Sequence, residues 1–361
     1  MAMDFLKKFY KEVEELEGIS TNAEPPRYWY STGSVAVNRV LSGSLRRGIP
    51  QGRITLFCGP SGAGKSFLVG NAVTQAQKEG AHILVIDSEN ALDSSYMSAI
   101  GCDVNNNYTY ISVITIAQAQ NVISQFIKGY RSEYGNDITA PKILICIDSI
   151  SMLLTDSEWE NYEKGITKGD QGQRNKTVKG FLRGLTQDIK SLNVSVVATA
   201  QTYKNQDLMN GEGVHVLADA IRYSASLIGL LTKLKLKGEK IEAPLGIRMK
   251  CEGIKSRFCV PFQQSTVEVP FSTGMDQYSG LASIAIELGV IEKKGSRYCI
   301  IGDEKTWFEK DIAEYAEEII EKCEALSDRF VMVAIGDNEV EILDDSSPSI
   351  SSKRKQKVVG K

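Results

Sequence analysis

The chain has 361 residues, 42% of them hydrophobic and 24% charged, with a formal net charge of −3. This is the composition of a soluble globular protein with room for two or three domains, or for one large core with appendages. No apolar run approaches the about 20 residues of a membrane span, and the net charge excludes a uniformly basic surface, so a nucleic-acid partner must be met by a local patch.

The N-terminal "MAMDFLKKFYKEVEEL" contains acidic residues and no long apolar stretch, so it does not read as a secretory signal and a cytoplasmic protein is expected. Residues 5 to 16 carry an amphipathic helix pattern, and the turn-rich "GISTNAEPPR" separates them from the rest of the chain. So short an arm packs on its own domain or on a neighbour. From residue 52 the pattern alternates: strand "RITLFC", helix 65 to 79, strand "HILVID", helix near 93 to 100, strand "YTYISV", helix 116 to 133, strand "KILICID". After a polar segment, 155 to 175, a helical stretch reaches about residue 192 and "VSVVATAQ" is another buried strand. Such alternation predicts an α/β fold, a largely parallel sheet with helices on both faces. "ASLIGLLTKLKL", "LGIRMKCEGIKSRFCV" and "STVEVPF" then extend the sheet antiparallel. A composition change near Met275 opens a smaller helical unit, and the end, "SSPSISSKRKQKVVGK", reads as disordered. The domains expected are an oligomerisation arm 1–30, a core 31–274, a small C-terminal domain 275–340 and a tail 341–361. Seven cysteines (Cys58, Cys102, Cys146, Cys251, Cys259, Cys299, Cys323) form no C-x-x-C pair and read as reduced, buried thiols.

Residues 59 to 66, "GPSGAGKS", fit G-x-x-x-x-G-K-[ST] between a strand and a helix. Here Gly59, Pro60, Ser61, Gly62, Ala63 and Gly64 form a loop whose backbone N–H groups can turn toward phosphate oxygens. Lys65 neutralises the terminal phosphates and Ser66 offers a hydroxyl to Mg²⁺. A merely flexible glycine loop is the alternative. Ligands of open α/β sheets sit outside the carboxyl ends of the strands. Three strand ends supply candidates: Asp148, where a Mg²⁺-organising carboxylate belongs; Asp87 and Glu89, the latter able to orient and deprotonate a water; and Gln201, able to hydrogen-bond a γ-phosphate oxygen. Each is otherwise a solvated strand-end polar residue.

"STGSVAVNRVLSGSLRRGIPQGRITLFCGPSGAGKS" followed by "IDSENALDSSY" resembles the RecA recombinases, and the likeness continues through "KILICIDSI", "VATAQ", "KSRFCVPF" and "YSGLASIAIELGVIEKKGSRY". It covers about residues 31 to 300. The "PSGAGKS" loop and the altered tail bring the UvsX-type phage recombinases nearer than the bacterial pattern, which would place the protein in a host-cell cytoplasm. The resemblance implies a RecA-like P-loop ATPase core with a short N-terminal helical arm and a small C-terminal domain. It implies ATP and Mg²⁺ as cofactors, and a filament on single-stranded DNA that pairs with homologous duplex and exchanges strands. Glu89 would be the catalytic base, Lys65 and Ser66 the phosphate and metal contacts, Asp148 the Walker B acid and Gln201 the γ-phosphate sensor. Phe67 would belong to the nucleotide site, and Asp93 and Tyr96 match positions that hold adenine; their alternative is a pair on a helix surface. Lys255 and Arg257, read as two apart on one strand face, would reach the γ-phosphate of the adjoining subunit, where a solvated charged face is the alternative.

Residues 155 to 175 and 202 to 217 lack apolar periodicity and are too long for ordinary connections. By resemblance they are the two DNA-binding loops, with a mobile lid over the nucleotide as the alternative. Lys164, Lys168, Arg174, Lys176 and Lys179 give the first a basic surface that binds phosphates without reading sequence. Tyr203, Lys204, Asn205, Gly211 and Gly213 are the candidates in the second. The family further implies a single-strand-binding protein and a loading mediator as partners, and the motifs predict no membrane association. A hexameric helicase on the same core, or a filament mediator with little turnover, are the other functions considered.

Overall fold

The computed structural model describes residues 2–14, 25–166, 172–204, 215, 216, 218–238 and 241–333. Lys168, Asn205, Gly211, Gly213 and the tail 341–361 lie outside the described residues. Helix α1 (Ala2–Glu14) exposes Phe5, Leu6, Phe9 and Tyr10. Next come β1 (Trp29–Tyr30), α2 (Val35–Ser42) and β2 (Ile49–Pro50), with β1 and β2 paired antiparallel. Ser34 caps α2 by accepting the Val37 N–H, and Gly43, at φ 83°, ends it in the left-handed conformation that favours glycine.

The alternating region folds as β3 (Ile54–Gly59), α3 (Lys65–Lys78), β4 (His82–Asp87), α4 (Ser94–Ala99), β5 (Tyr108–Ser112), α5 (Ile116–Tyr134) and β6 (Ile143–Asp148). Helices α6 (Asp156–Glu163) and α7 (Gln173–Ile189) lead to β7 (Val194–Gln201). Here the structure corrects the first expected loop: residues 156–163 form a helix. Thr155 caps it and Glu158 returns a bond to the Thr155 N–H, a local signal that needs no apolar stripe.

Beyond β7 lie the two-residue strands β8 (Tyr203–Lys204) and β9 (His215–Val216), then α8 (Asp219–Ser224), β10 (Leu227–Gly238), β11 (Ile241–Lys255) and β12 (Gln264–Pro270). The eight-stranded sheet runs β12-β11-β10-β3-β7-β6-β4-β5. The expected antiparallel extension is corrected at its first strand: β10 joins β3 in parallel, and only β11 and β12 are antiparallel. Helix α8 supplies the crossover that a parallel join requires. The last part holds α9 (Leu281–Glu287), β13 (Ile291–Lys294), β14 (Arg297–Ile300), a 3₁₀ turn over Glu309–Glu314 and α10 (Ala316–Val333). The unit expected to be helical thus contains a β-hairpin, turned at Gly295, where φ is 64°.

Successive strand residues face opposite sides. Phe57, Ile83, Val85, Leu144 and Cys146 join α2, α3, α9 and α10 in one apolar cluster. Leu56, Cys58, Leu84, Ile86, Ile145 and Ile147 join α5 and α7 in the other. Burial on both faces fixes the register, because a one-residue slip would exchange the two sets.

Candidate active site

That register aligns the polar strand ends. Gly59 pairs with Gln201, Asp87 pairs with Asp148, and β6 runs beside β7. The carboxyl ends of four neighbouring strands therefore line one crevice, with the loop 60–64 at its side. Gly62 and Gly64 have φ of 67° and 95°, and a Cβ on Gly59 would collide with the Leu231 carbonyl oxygen. Glycine is what the loop geometry requires at these places. Lys65 is buried, and its Nζ donates to the carbonyl oxygens of Gly59 at 3.1 Å and Pro60 at 3.0 Å. Burial lowers its pKa, while Glu89 and Asp148 act in the opposite direction.

The three acids differ in environment. Asp87 is fully buried and accepts the backbone N–H groups of Glu89, Asn90 and Leu92, with the Tyr110 hydroxyl 3.1 Å from Oδ2. It builds the turn that carries Glu89. The exposed carboxylate of Glu89 accepts from Ser149 Oγ at 2.7 Å and lies 3.4 Å from Gln201 Nε2. Asp148 is 1% exposed; Thr199 Oγ1 donates to its Oδ1, and Oδ2 is buried with no hydrogen-bond partner. Burial raises its pKa, opposed first by the Thr199 hydrogen bond and then by the nearby Ser66 hydroxyl. An orphaned carboxylate oxygen beside Ser66 fits Mg²⁺, a hard cation that takes one or two protein oxygens and completes its shell with phosphate and water. Among the described residues no cluster of three or more His, Cys, Asp or Glu side chains could hold a metal alone.

Gln201 is tied on two sides. Its side chain meets Glu89, and its backbone N–H donates to Ser151 Oγ at 2.8 Å. Ser151 O in turn accepts from Arg174, at the start of α7. Sequence reasoning missed Ser149, Ser151 and Thr199. All three lie at strand ends already singled out, but only the pairing of β6 with β4 turns Ser149 toward Glu89, and only its pairing with β7 brings Ser151 to Gln201 and Thr199 to Asp148.

Asp93 caps α4, accepting from Ser95 N at 2.8 Å and Tyr96 N at 3.0 Å. The Tyr96 ring packs along α3, with Cε1 3.8 Å from the place a Cβ on Gly70 would occupy, and burial pushes its hydroxyl up to about 12. Phe67 is half-buried beside Gly274. These side chains flank the first turns of α3 and leave Ser61 and Gly62 open to solvent.

Lys255 and Arg257 are elsewhere. Lys255 ends β11, paired with Ile228, which also pairs with Leu56, three residues before Gly59. It lies level with Leu56, in the middle of β3, roughly 10 Å down the sheet from Gly59 and two strands across. Its Nζ donates to the Arg222 and Tyr223 carbonyl oxygens. The one-face argument for the pair is corrected: β11 stops at Lys255, and Arg257 lies in the turn beyond it. Of the first-loop candidates, Lys164 is paired with Glu160 at 3.4 Å, Arg174 is half-buried, and Lys176 and Lys179 are exposed on α7. Tyr203 is 64% exposed just past Gln201, beside Lys204 in β8.

The family model for the RecA N-terminal domain matches residues 11–276. Protein RecA of Rippkaea orientalis is 25% identical over 329 residues, covering 86% of this chain and 87% of that protein. Protein RecA of Thermus aquaticus is 27% identical over 323 residues, covering 86% and 88%. Protein RecA of Phytoplasma mali is 27% identical over 316 residues, covering 82% and 85%. A P-loop beside a row of strand-end acids, in a chain matched across most of its length, has one family reading, and this chain belongs to the RecA family.

Proposed function

We propose that this chain, an ATP-dependent recombinase of homologous recombination and repair and a DNA-dependent ATPase, sets its grip on DNA through Gln201 according to the γ-phosphate it holds. The observation that carries this reading is the double tether of Gln201. The side chain rests on the Glu89 carboxylate while the backbone is held by Ser151 and continues into residues 202–217. A γ-phosphate oxygen competing for the Gln201 amide would shift the segment attached to it. Moving a two-state segment tenfold takes about 1.4 kcal/mol, within the range of one hydrogen bond to a charged group.

In this reading Glu89, oriented by Ser149, takes the proton of the attacking water. Lys65 leaves its two loop carbonyls for the β- and γ-phosphates. Asp148 and Ser66 would hold Mg²⁺, which when bound would supply positive charge to the phosphate oxygens. Tyr96 and Phe67 flank adenine, with Asp93 at the base edge. Lys255 and Arg257 serve the nucleotide of the adjoining subunit, since Lys255 cannot span the sheet to its own P-loop. Single-stranded DNA meets α7 and the segment after Gln201, and a single-strand-binding protein and a loading mediator act in the same cycle. The UvsX-type likeness, and a host-cell cytoplasmic site with it, stay part of this proposal on the residues of the P-loop. The recombinase is favoured over a helicase or a non-catalytic mediator by the family match and by a Glu89 already oriented over the crevice.

The test is single-stranded DNA affinity with a non-hydrolysable ATP analogue and with ADP. The analogue is expected to bind DNA more tightly, and Gln201→Ala to erase most of that difference while still binding nucleotide. Equal affinity in the two nucleotide states of the wild type would sink the coupling.

A further inference from the structure

Among the described residues, the strand-end acids Asp148 and Glu89 stand on one flank of the P-loop. Strand β3 carries β7, then β6, on the side of Gln201 and Asp148, and β10 on the other. Strands β10 and β11 run past the end of β3 and pack against the loop, with Met249 Sδ 3.1 Å and Ile247 Cδ1 3.5 Å from the place a Cβ on Gly64 would occupy. Lys233 lies two residues beyond Leu231 and so shares its face, in register with Met249. Its Nζ reaches the loop itself, 2.5 Å from where a Cβ on Gly62 would sit. That space exists because residue 62 is glycine, which its φ of 67° also favours. Lys233 is exposed, and among the described residues no carboxylate pairs with it.

Two ammonium groups of one subunit therefore converge on the same loop. Lys65 is turned onto loop carbonyls and Lys233 stands over the opposite flank; its charge opposes that of Lys65. Like charges at one loop are a cost that an anion bound between them removes. We propose that Lys233 is a second phosphate contact of the same subunit, holding terminal phosphate oxygens of ATP from the flank opposite Asp148. The inference rests on the P-loop as the nucleotide site. It places a metal and its acids on one side of the triphosphate and a flexible lysine on the other, so that Lys233 favours the triphosphate over the diphosphate.

The experiment measures binding of fluorescent adenylyl imidodiphosphate and fluorescent ADP, without DNA, to the wild type, Lys233→Ala, Lys233→Arg and Lys235→Ala. Lys235 lies one step further along the same strand face and controls for the loss of a unit charge. Lys233→Ala is expected to weaken the triphosphate analogue about fivefold or more, and ADP distinctly less, with an unchanged melting temperature. Lys233→Arg should restore most of the difference and Lys235→Ala should leave it intact. Equal losses for the two nucleotides, equal losses in Lys233→Ala and Lys235→Ala, or no loss in Lys233→Ala would each overturn the assignment. A wild type that binds neither nucleotide would instead remove the P-loop reading beneath it.

Discussion

Three carboxylates close together do three different things because their solvation differs. Asp87 spends its acceptors on three backbone N–H groups and serves as a turn-builder. Asp148, with one oxygen bonded to Thr199 and one without a partner, is an acid whose charge is costly until a cation arrives. Glu89 stands in solvent, held at one oxygen by Ser149. Glu89→Gln keeps the shape and the acceptor for Ser149 and removes the base. ATP binding and melting temperature are expected to stay near wild type while turnover falls by about 10² or more, checked by steady-state hydrolysis with single-stranded DNA present. Near-normal turnover would take Glu89 out of the chemistry.

At the scale of elements, α6 and α7 divide what the sequence presents as one loop. Helix α6 carries Asp156, Glu158, Glu160 and Glu163, and Lys164 at its end pairs with Glu160. Such a helix repels a phosphate backbone. Helix α7 buries Val178, Phe181, Leu182, Leu185 and Ile189 and leaves Lys176, Lys179 and Arg183 exposed at i, i+3 and i+7, a basic stripe on its outer side. In the proposed function, phosphate contacts therefore belong to α7. In a salt titration of single-stranded DNA affinity, Lys176→Ala and Lys179→Ala are each expected to lower the slope by about 0.7, the single-strand counterion value for one phosphate. Lys164→Ala should leave the slope unchanged; an equal effect from Lys164 would return the contact to the end of α6.

Across the whole molecule, the width and length of the sheet separate the P-loop from Lys255 and Arg257. The P-loop lies beyond the carboxyl end of β3, whereas Lys255, braced on the C-terminal end of α8, sits lower on the sheet and two strands away, with Arg257 in the turn beside it. In the proposed filament the Lys255 side of one subunit would face the P-loop of the next. Mixing Lys255→Ala subunits, whose P-loop is intact, with Lys65→Ala subunits, whose Lys255 is intact, should restore part of the DNA-dependent ATPase at interfaces that join the two intact halves. Mixtures no more active than the separate variants would leave Lys255 with a role inside its own subunit. The C-terminal helices are held in a fixed position on the core. Leu281, Ile284, Trp307 and Ile319 belong to the core cluster that α2 and α3 build, and Arg39 holds Glu287 through two hydrogen bonds.

The amino-acid sequence by itself determined the P-loop, the order of strands and helices from β3 to β7 apart from α6, and the identities of Glu89, Asp148 and Gln201 as strand-end candidates. These are written locally, in apolar runs of strand length, glycine spacing and the polar residue that ends each run. Tertiary structure alone decided that Asp148 keeps one buried oxygen without a partner, that Gln201 meets Glu89, and that Lys255 lies away from its own P-loop. It also decided that Ser149, Ser151 and Lys233 stand where they do. Each of these depends on the register between segments tens of residues apart, or on which side of a sheet solvent reaches. Neither quantity is encoded by the pattern of any one segment, because pairing and desolvation are properties of the neighbours a residue acquires on folding.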